Sequence, residues 1–205
     1  RPEQDVETLT IYMVLATIIG ARLGHCLFYQ PEIYLSDPLK IFAIWEGGLA
    51  SHGGAAGILI AIYIYTHYKI TYDTFLFFFP YNFKIKKEKR EGQSYLWVLD
   101  RIVIVVALGG AFIRFGNLMN SEIVGLPTDL PWAFVFERLG DGVPRHPAQL
   151  YESITCLIFF FVLLAMWNRK KQETPKGQLF GIFLIWIFGL RFFYEFLKEN
   201  QVRFE

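Results

Sequence analysis

Cysteine is nearly missing from this chain. Its 205 residues include two, Cys26 and Cys156. Both lie inside apolar runs at no metal-ligand spacing, so they read as small buried hydrophobes rather than a disulfide, a zinc site or a nucleophile. Charge of one sign is missing too. Lys and Arg number 20 against 19 Asp and Glu, a formal net charge of +1. That balance leaves no footprint for nucleic acid, and no nucleic-acid partner is expected. Acidic side chains do not cluster either: Asp129 and Asp141 stand alone, and neither a metal nor a cofactor is expected. No secretory leader precedes the first apolar run. The opening Arg1-Pro2-Glu3-Gln4-Asp5-Val6-Glu7 lacks an initiator Met and reads as an inter-span loop of a longer protein.

What the chain does have is apolar mass. Hydrophobic residues make up 54% and aromatics 18%, and the charges fall in short blocks between long apolar runs. A soluble amphipathic helix would alternate faces every turn instead. The expected fold is all-α, a polytopic transmembrane helical bundle forming a single domain over 1–205. Five runs, 9–29, 53–68, 95–113, 150–167 and 179–196, approach the ~20 residues that a span needs. The second is short unless it extends back through 44–50, where glycines predict a re-entrant or broken start. A sixth run, 74–80, is too short to cross and is assigned to the interface. No span shows a repeated small-residue dimer face, so a monomer is expected.

Basic residues set the orientation. Lys84, Lys86, Lys87, Lys89 and Arg90 lie between the second and third spans, and Arg169, Lys170, Lys171 and Lys176 between the fourth and fifth. By the positive-inside rule both loops are cytoplasmic. The segments 30–53 and 114–148 then face outward, the latter as a periplasmic head loop.

Several charged or polar residues stand where a membrane makes them costly. Arg22 and His25 fall in the first span, His52 at the start of the second, Asp100 and Arg101 early in the third, Arg114 at its exit, and Arg191 and Glu195 in the last. Singly, each could snorkel or form a structural pair; Arg191 and Glu195, four apart on one helical face, make an easy local one. Converging arginines would repel unless an anion sat among them, and a lipid phosphate is the anion a membrane offers. His52 is flanked as Gly-Gly-Leu-Ala-Ser-His-Gly-Gly. Glycines there permit close backbone approach, and an imidazole of unperturbed pKa about 6.5 can accept a proton at neutral pH. The head carries Asn117, Asn120, Glu122, Gly125 and Arg145-His146 between prolines, and Gln149, Tyr151 and Glu152 open the next span at membrane depth. That composition suits a head-group site without naming the head group.

Taken in order, Gly-Ala-Arg22-Leu-Gly, Gly-Gly-Leu-Ala-Ser-His52-Gly-Gly, Asp100, Arg114-Phe-Gly-Asn117-Leu-Met-Asn120-Ser-Glu122-Ile-Val-Gly125, Pro-Thr-Asp-Leu-Pro-Trp-Ala, Pro-Arg145-His146-Pro-Ala-Gln149-Leu-Tyr151-Glu152 and Gly-Leu-Arg191-Phe-Phe-Tyr-Glu195 resemble the prolipoprotein diacylglyceryl transferases. The likeness covers nearly the whole chain. It implies a multi-pass enzyme of the bacterial cytoplasmic (inner) membrane, with phosphatidylglycerol and the prolipoprotein signal-peptide lipobox as partners within the membrane lipids. The diacylglyceryl group would pass to the lipobox cysteine, releasing glycerol phosphate. The resemblance further implies His52 as base and Arg114 and Arg191 as the critical cations. Arg22, Gly53, Asp100, Asn117, Asn120, Glu122, Gly125, Arg145, His146, Gln149, Tyr151, Glu152 and Glu195 would then line the substrate, with Glu122 also the expected structural partner of an arginine.

Relative to that family, spans before the first and after the last are not seen here (the family usually has seven), and the tyrosine contributed by its first span is not identifiable. Lys198 stands where an arginine is often found, and 72–93 reads as a cytoplasmic insertion loop with little part in catalysis. Two other function classes remain to be weighed. A lipid or anion transporter or channel would use the same arginines as a pathway, but it usually betrays internal repeats, and none is present. A non-catalytic assembly factor would find His52 dispensable.

Overall fold

The computed structural model describes residues 3–75 and 79–197. In chain order these form α1 (Glu3–Phe28), α2 (Pro31–Ser36), α3 (Ser51–His67), β1 (Tyr68–Phe75), β2 (Phe79–Lys87), α4 (Tyr95–Asn120), β3 (Phe134–Val135), β4 (Pro144–Arg145), α5 (Ala148–Lys170) and α6 (Gln178–Glu195). Among the described residues four helices, α1, α4, α5 and α6, are long and apolar enough to cross a membrane. The second expected span is α3, whose 17 residues fall short of the ~20 of a straight crossing. The broken start predicted ahead of it is real: two 3-10 turns and the positive-φ pair Gly47 and Gly48 separate α2 from α3.

Contacts divide the chain into two compact units, one ending at Val98 and the other beginning at Leu99. In the first, α1 and α3 run antiparallel with their backbones pressed together. A Cβ on Gly53 would strike the carbonyl oxygen of Gly20 and lie 2.8 Å from Gly24 Cα; one on Gly57 would strike the carbonyl of Ala16. Gly20 and Gly24 on α1, and Gly53 and Gly57 on α3, are each four apart, the small-xxx-small spacing that lets membrane helices approach closely. The expectation that no span carries such a face is corrected here. It was obscured by the residues between, above all Arg22, and the two faces are spent on each other within the chain.

At the far end of this pair a polar knot ties the unit. Arg90 donates from Nε to the Tyr65 carbonyl at 2.9 Å, pairs with Asp5 at 3.1 Å, and stacks over the Tyr65 ring. Gln93 donates to Asp5 and accepts from the Tyr65 hydroxyl.

The segment expected as an insertion loop over 72–93 is mostly a β-hairpin. β1 and β2 pair antiparallel, with Tyr68 opposite Lys87, Lys69 opposite Lys86 and Ile70 opposite Ile85. Alternation of apolar and polar residues carries this, a period-2 signal hidden by the aromatic run that follows. Of the interfacial assignment for 74–80, residues 76–78 lie outside the described residues.

In the second unit α4, α5 and α6 bury Val103, Ile104, Ala107, Phe159, Leu163, Leu179 and Phe183, with Phe159 stacked on Trp186 at 4.5 Å. The start of α6 is held by Asp100, whose carboxylate accepts the N–H groups of Gly177 at 2.6 Å and Phe180 at 2.9 Å. Gly177 supplies the positive φ that turns the chain into the helix. Asp100 is 1% exposed and caps α6 from a neighbouring helix, so its expected contact with substrate is replaced by a structural one. Asp100→Ala should cost about 1–2 kcal/mol, typical of a lost helix cap, read as a lowered melting temperature.

Candidate active site

The polar residues singled out in the sequence after Asp100 lie in the second unit, and part of them meet where the ends of α4, α5 and α6 adjoin the head. Two polar contacts join α4 to α5, and a third joins α5 to the turn that follows α4. Ser153 donates to the Ala111 carbonyl at 2.8 Å, Arg114 Nε pairs with Glu152 Oε2 at 2.5 Å, and Gln149 Nε2 donates to the Glu122 carbonyl at 2.5 Å. The partner of Arg114 is therefore Glu152, and the expected pairing of an arginine with Glu122 is corrected: the Glu122 side chain is exposed and its backbone makes the contact. α6 joins through Tyr194, whose hydroxyl lies 2.6 Å from Thr155 Oγ1 and donates to the Tyr151 carbonyl at 3.3 Å.

The signature after Arg114 is bent by an unusual turn. Ser121 N–H donates to the Leu118 carbonyl and Glu122 N–H to that of Asn117, the bond pair that closes a Schellman helix end. The left-handed position, normally glycine, is Ser121 at φ 58, and Ile123 follows at φ 55. A β-branched residue there costs on the order of 1–3 kcal/mol, strain of the kind that collects at functional sites. The turn persists because its neighbours over-determine it. Gly125 N–H bonds the His146 carbonyl, His146 N–H bonds that of Leu126, and Leu126 N–H bonds that of Leu197 in the turn after α6. A Cβ on Gly125 would lie 2.6 Å from His146 Cβ, so glycine is required by packing as well as by any ligand.

The head is a small sheet centred on Arg145, which pairs with Phe134 across β3–β4 and bridges Pro127 on the other side. Its guanidinium bonds Asp141 at 2.7 Å. That contact, with the Val143 N–H, holds the Asp141 carboxyl below its ordinary range. A carboxyl whose pKa falls on folding stabilises the fold above its unfolded pKa, and the contribution is lost as pH drops through the folded value. This corner of the head thus holds at neutral pH and loosens only in acid. Asn120 accepts Arg138 at 3.3 Å. The Tyr151 hydroxyl accepts Trp132 Nε1–H at 2.9 Å and lies 3.4 Å from His146 Nδ1. Trp132, Arg138, Thr155 and Tyr194 were not anticipated as site residues. Trp132 and Tyr194 stood inside the quoted motifs, while Arg138 and Thr155 carried no signal.

Arg191 and Glu195 lie on the same helix, both exposed. Among the described residues neither has an ion-pair partner, so the local pair expected from their spacing does not form. Lys198 lies outside the described residues. Among the described residues the half-buried Arg114 pairs with Glu152 alone, through Nε, which leaves its terminal N–H groups for another acceptor.

The first unit holds Arg22, His52 and Gly53. Arg22 was expected to meet an anion, but it is 3% exposed and donates to the carbonyls of Lys40, Ile41, Ala43, Gly47 and Gly48 at 2.5 to 3.3 Å. Its planar fork clamps the 40–48 loop and its donors are taken up. Gly53, expected against substrate, is committed to the helix contact with Gly20 and Gly24. His52 is exposed in the first turn of α3, its ring edge-on to Phe28 at 5.4 Å and 5.7 Å from Tyr29.

Comparisons with known proteins identify the family. The model of the family described as prolipoprotein diacylglyceryl transferase matches residues 1–205. A phosphatidylglycerol–prolipoprotein diacylglyceryl transferase of Chloroherpeton thalassium is 47% identical over 202 residues, 98% of this chain and 67% of the relative. Proteins of the same name from Tolumonas auensis and Bacteroides fragilis are 42% and 41% identical, covering 100% and 99% of this chain and 70% and 69% of their own. With four apolar helices of spanning length and an arginine-bearing polar end, this chain belongs to the prolipoprotein diacylglyceryl transferase family, a family of multi-pass membrane transferases.

Proposed function

We propose that the protein transfers the diacylglyceryl group of phosphatidylglycerol to the cysteine thiol of a prolipoprotein lipobox, releasing glycerol phosphate. The reaction takes place in the bacterial cytoplasmic membrane with the 114–148 head on the periplasmic side. The observation that carries this reading is Arg114, anchored through Nε on Glu152 with its other donors left for an anion, beside a head dense in hydrogen-bonding groups.

The chemistry asks for three things. The substrate thiol, of pKa about 8.5, is only a few per cent ionised at neutral pH and needs a base; His52 takes that proton. The sulfur attacks the glyceryl carbon, a C–S bond forms, and the C–O bond to phosphate breaks with its electron pair on the departing oxygen. The phosphate monoester so released gains charge, which Arg114, fixed on Glu152, and Arg191 stabilise. Recognition of the glycerol falls to the head. Gln149 is 1% exposed and its Oε1 has no donor among the described residues, an acceptor costly to leave unmet and suited to a glycerol hydroxyl. Asn117, Asn120, Glu122, Gly125, Arg145, His146, Tyr151, Glu152 and Glu195 shape its surroundings.

The test uses the protein in proteoliposomes containing phosphatidylglycerol, with a lipobox peptide and the same peptide carrying serine for cysteine. Glycerol phosphate should appear with the thiol peptide alone, and His52→Gln should slow it about 10²- to 10⁴-fold, the usual contribution of a general base. Release that proceeds with the serine peptide would sink the transfer reading; a full rate from His52→Gln would remove only the base assignment.

A further inference from the structure

We propose that the β1–β2 hairpin is a docking surface for anionic phospholipid head groups at the bilayer face from which α3 and α4 depart. This goes beyond the transfer reaction and does not rest on it. The root of the hairpin is fixed. Glu88 N–H bonds the His67 carbonyl, Arg90 N–H bonds Thr66, and the Arg90 side chain is locked on Tyr65 and Asp5. α4, an apolar helix of membrane-spanning length, begins shortly after at Tyr95. The strands therefore start at the membrane boundary and cannot be far from its head groups.

Charge then selects the occupant. The register places Lys69 directly opposite Lys86, and Thr71 opposite Lys84. Successive strand residues alternate faces while cross-strand partners share one, so Lys69, Lys84 and Lys86 fall on a single face. Like charges set opposite each other oppose pairing unless an anion offsets them. One carboxylate is at hand: Glu88 lies 3.8 Å from both Lys69 and Lys86, all three well exposed, and such open pairs are weak. Lys84, Lys87 and Lys89 are exposed as well. On the alternate face of β2 stand Ile85, 62% exposed, and Lys87. A lysine face backed by the exposed Ile85 matches an anionic bilayer surface, whose phosphates take the lysines while its acyl boundary takes the isoleucine. A two-stranded hairpin is otherwise marginal in water.

The experiment places a fluorophore at Ile85→Cys, with the unmutated protein labelled in parallel to subtract Cys26 and Cys156. Nanodiscs carry head-group nitroxide quenchers in phosphatidylcholine, with or without phosphatidylserine. Phosphatidylserine is anionic but is not the proposed substrate, so docking is read apart from turnover. Quenching should strengthen when phosphatidylserine is added and should fade in about 1 M salt, where the screening length is about 3 Å. With each surface lysine worth about fivefold, Lys84→Gln with Lys86→Gln should lower the docked-to-free ratio about 25-fold. Equal quenching in both discs, or quenching unmoved by the double substitution, overturns the proposal. A label unquenched in either disc, which would leave the lysines to a soluble acidic partner, overturns it too.

Discussion

Arg114→Ala should lower diacylglyceryl transfer at least about 10²- to 10³-fold, on the order of removing an oxyanion-hole donor. In the proposed reaction the leaving phosphate gains charge, and a fixed cation in a partly buried setting is worth more there than in solution. Arg114 is fixed: its Nε is tied to Glu152, a residue on the adjoining helix that is 8% exposed. Arg114→Lys keeps the charge but not the planar fork, and should recover a minor part of the rate. The substitution also disturbs Glu152, so stability has to be read separately. Glu152→Gln serves for that: it loosens the anchor while leaving the guanidinium in place, and should cost less in rate than Arg114→Ala. Rates are compared per folded molecule, with melting followed in the same preparations. If Arg114→Ala lowers the melting temperature but leaves the rate within a few-fold, the arginine is a strut and the phosphate-gripping role is wrong.

The second large effect is on folding. Gly53→Ala should destabilise the protein by about 1–3 kcal/mol or more, and Gly53→Leu should prevent the first unit from assembling. The added carbon would meet backbone on both sides, the Gly20 carbonyl and Gly24 Cα, and backbone cannot swing aside as a side chain can. Parting α1 from α3 to admit it would forfeit contact from Ala16 to Gly24. Gly20→Ala and Gly24→Ala should behave alike, since each Cβ would meet the backbone of Gly53. Gly109→Ala and Gly181→Ala are the controls. Neither Cβ would find an atom within 4 Å, and helix propensity alone predicts a gain of up to about 1 kcal/mol. Thermal unfolding of the five alanine variants decides it; a Gly53→Ala protein that melts with the controls would refute close backbone packing.

Much of this protein was legible in its sequence, and for a simple reason. Long apolar runs interrupted by basic blocks permit few solutions, because a backbone in hydrocarbon must satisfy its own hydrogen bonds. The helical class, the positions of α1, α4, α5 and α6, the head between α4 and α5, and the family all follow from local composition and from motifs in order. The hairpin was missed because its alternation runs into an aromatic cluster that looks like membrane.

What a charged residue does, by contrast, was decided by the tertiary structure alone. Arg22, Asp100 and Arg114 look equivalent in a sequence, each an ionic group in an apolar run. Among the described residues folding brings five carbonyls around Arg22, two helix-start N–H groups to Asp100, and one carboxylate to Arg114. The first two have their hydrogen-bonding capacity used by backbone groups distant in sequence, while the third keeps donors in reserve. Burial makes a polar group costly wherever it falls. Which partner meets that cost depends on chain segments that composition cannot bring together.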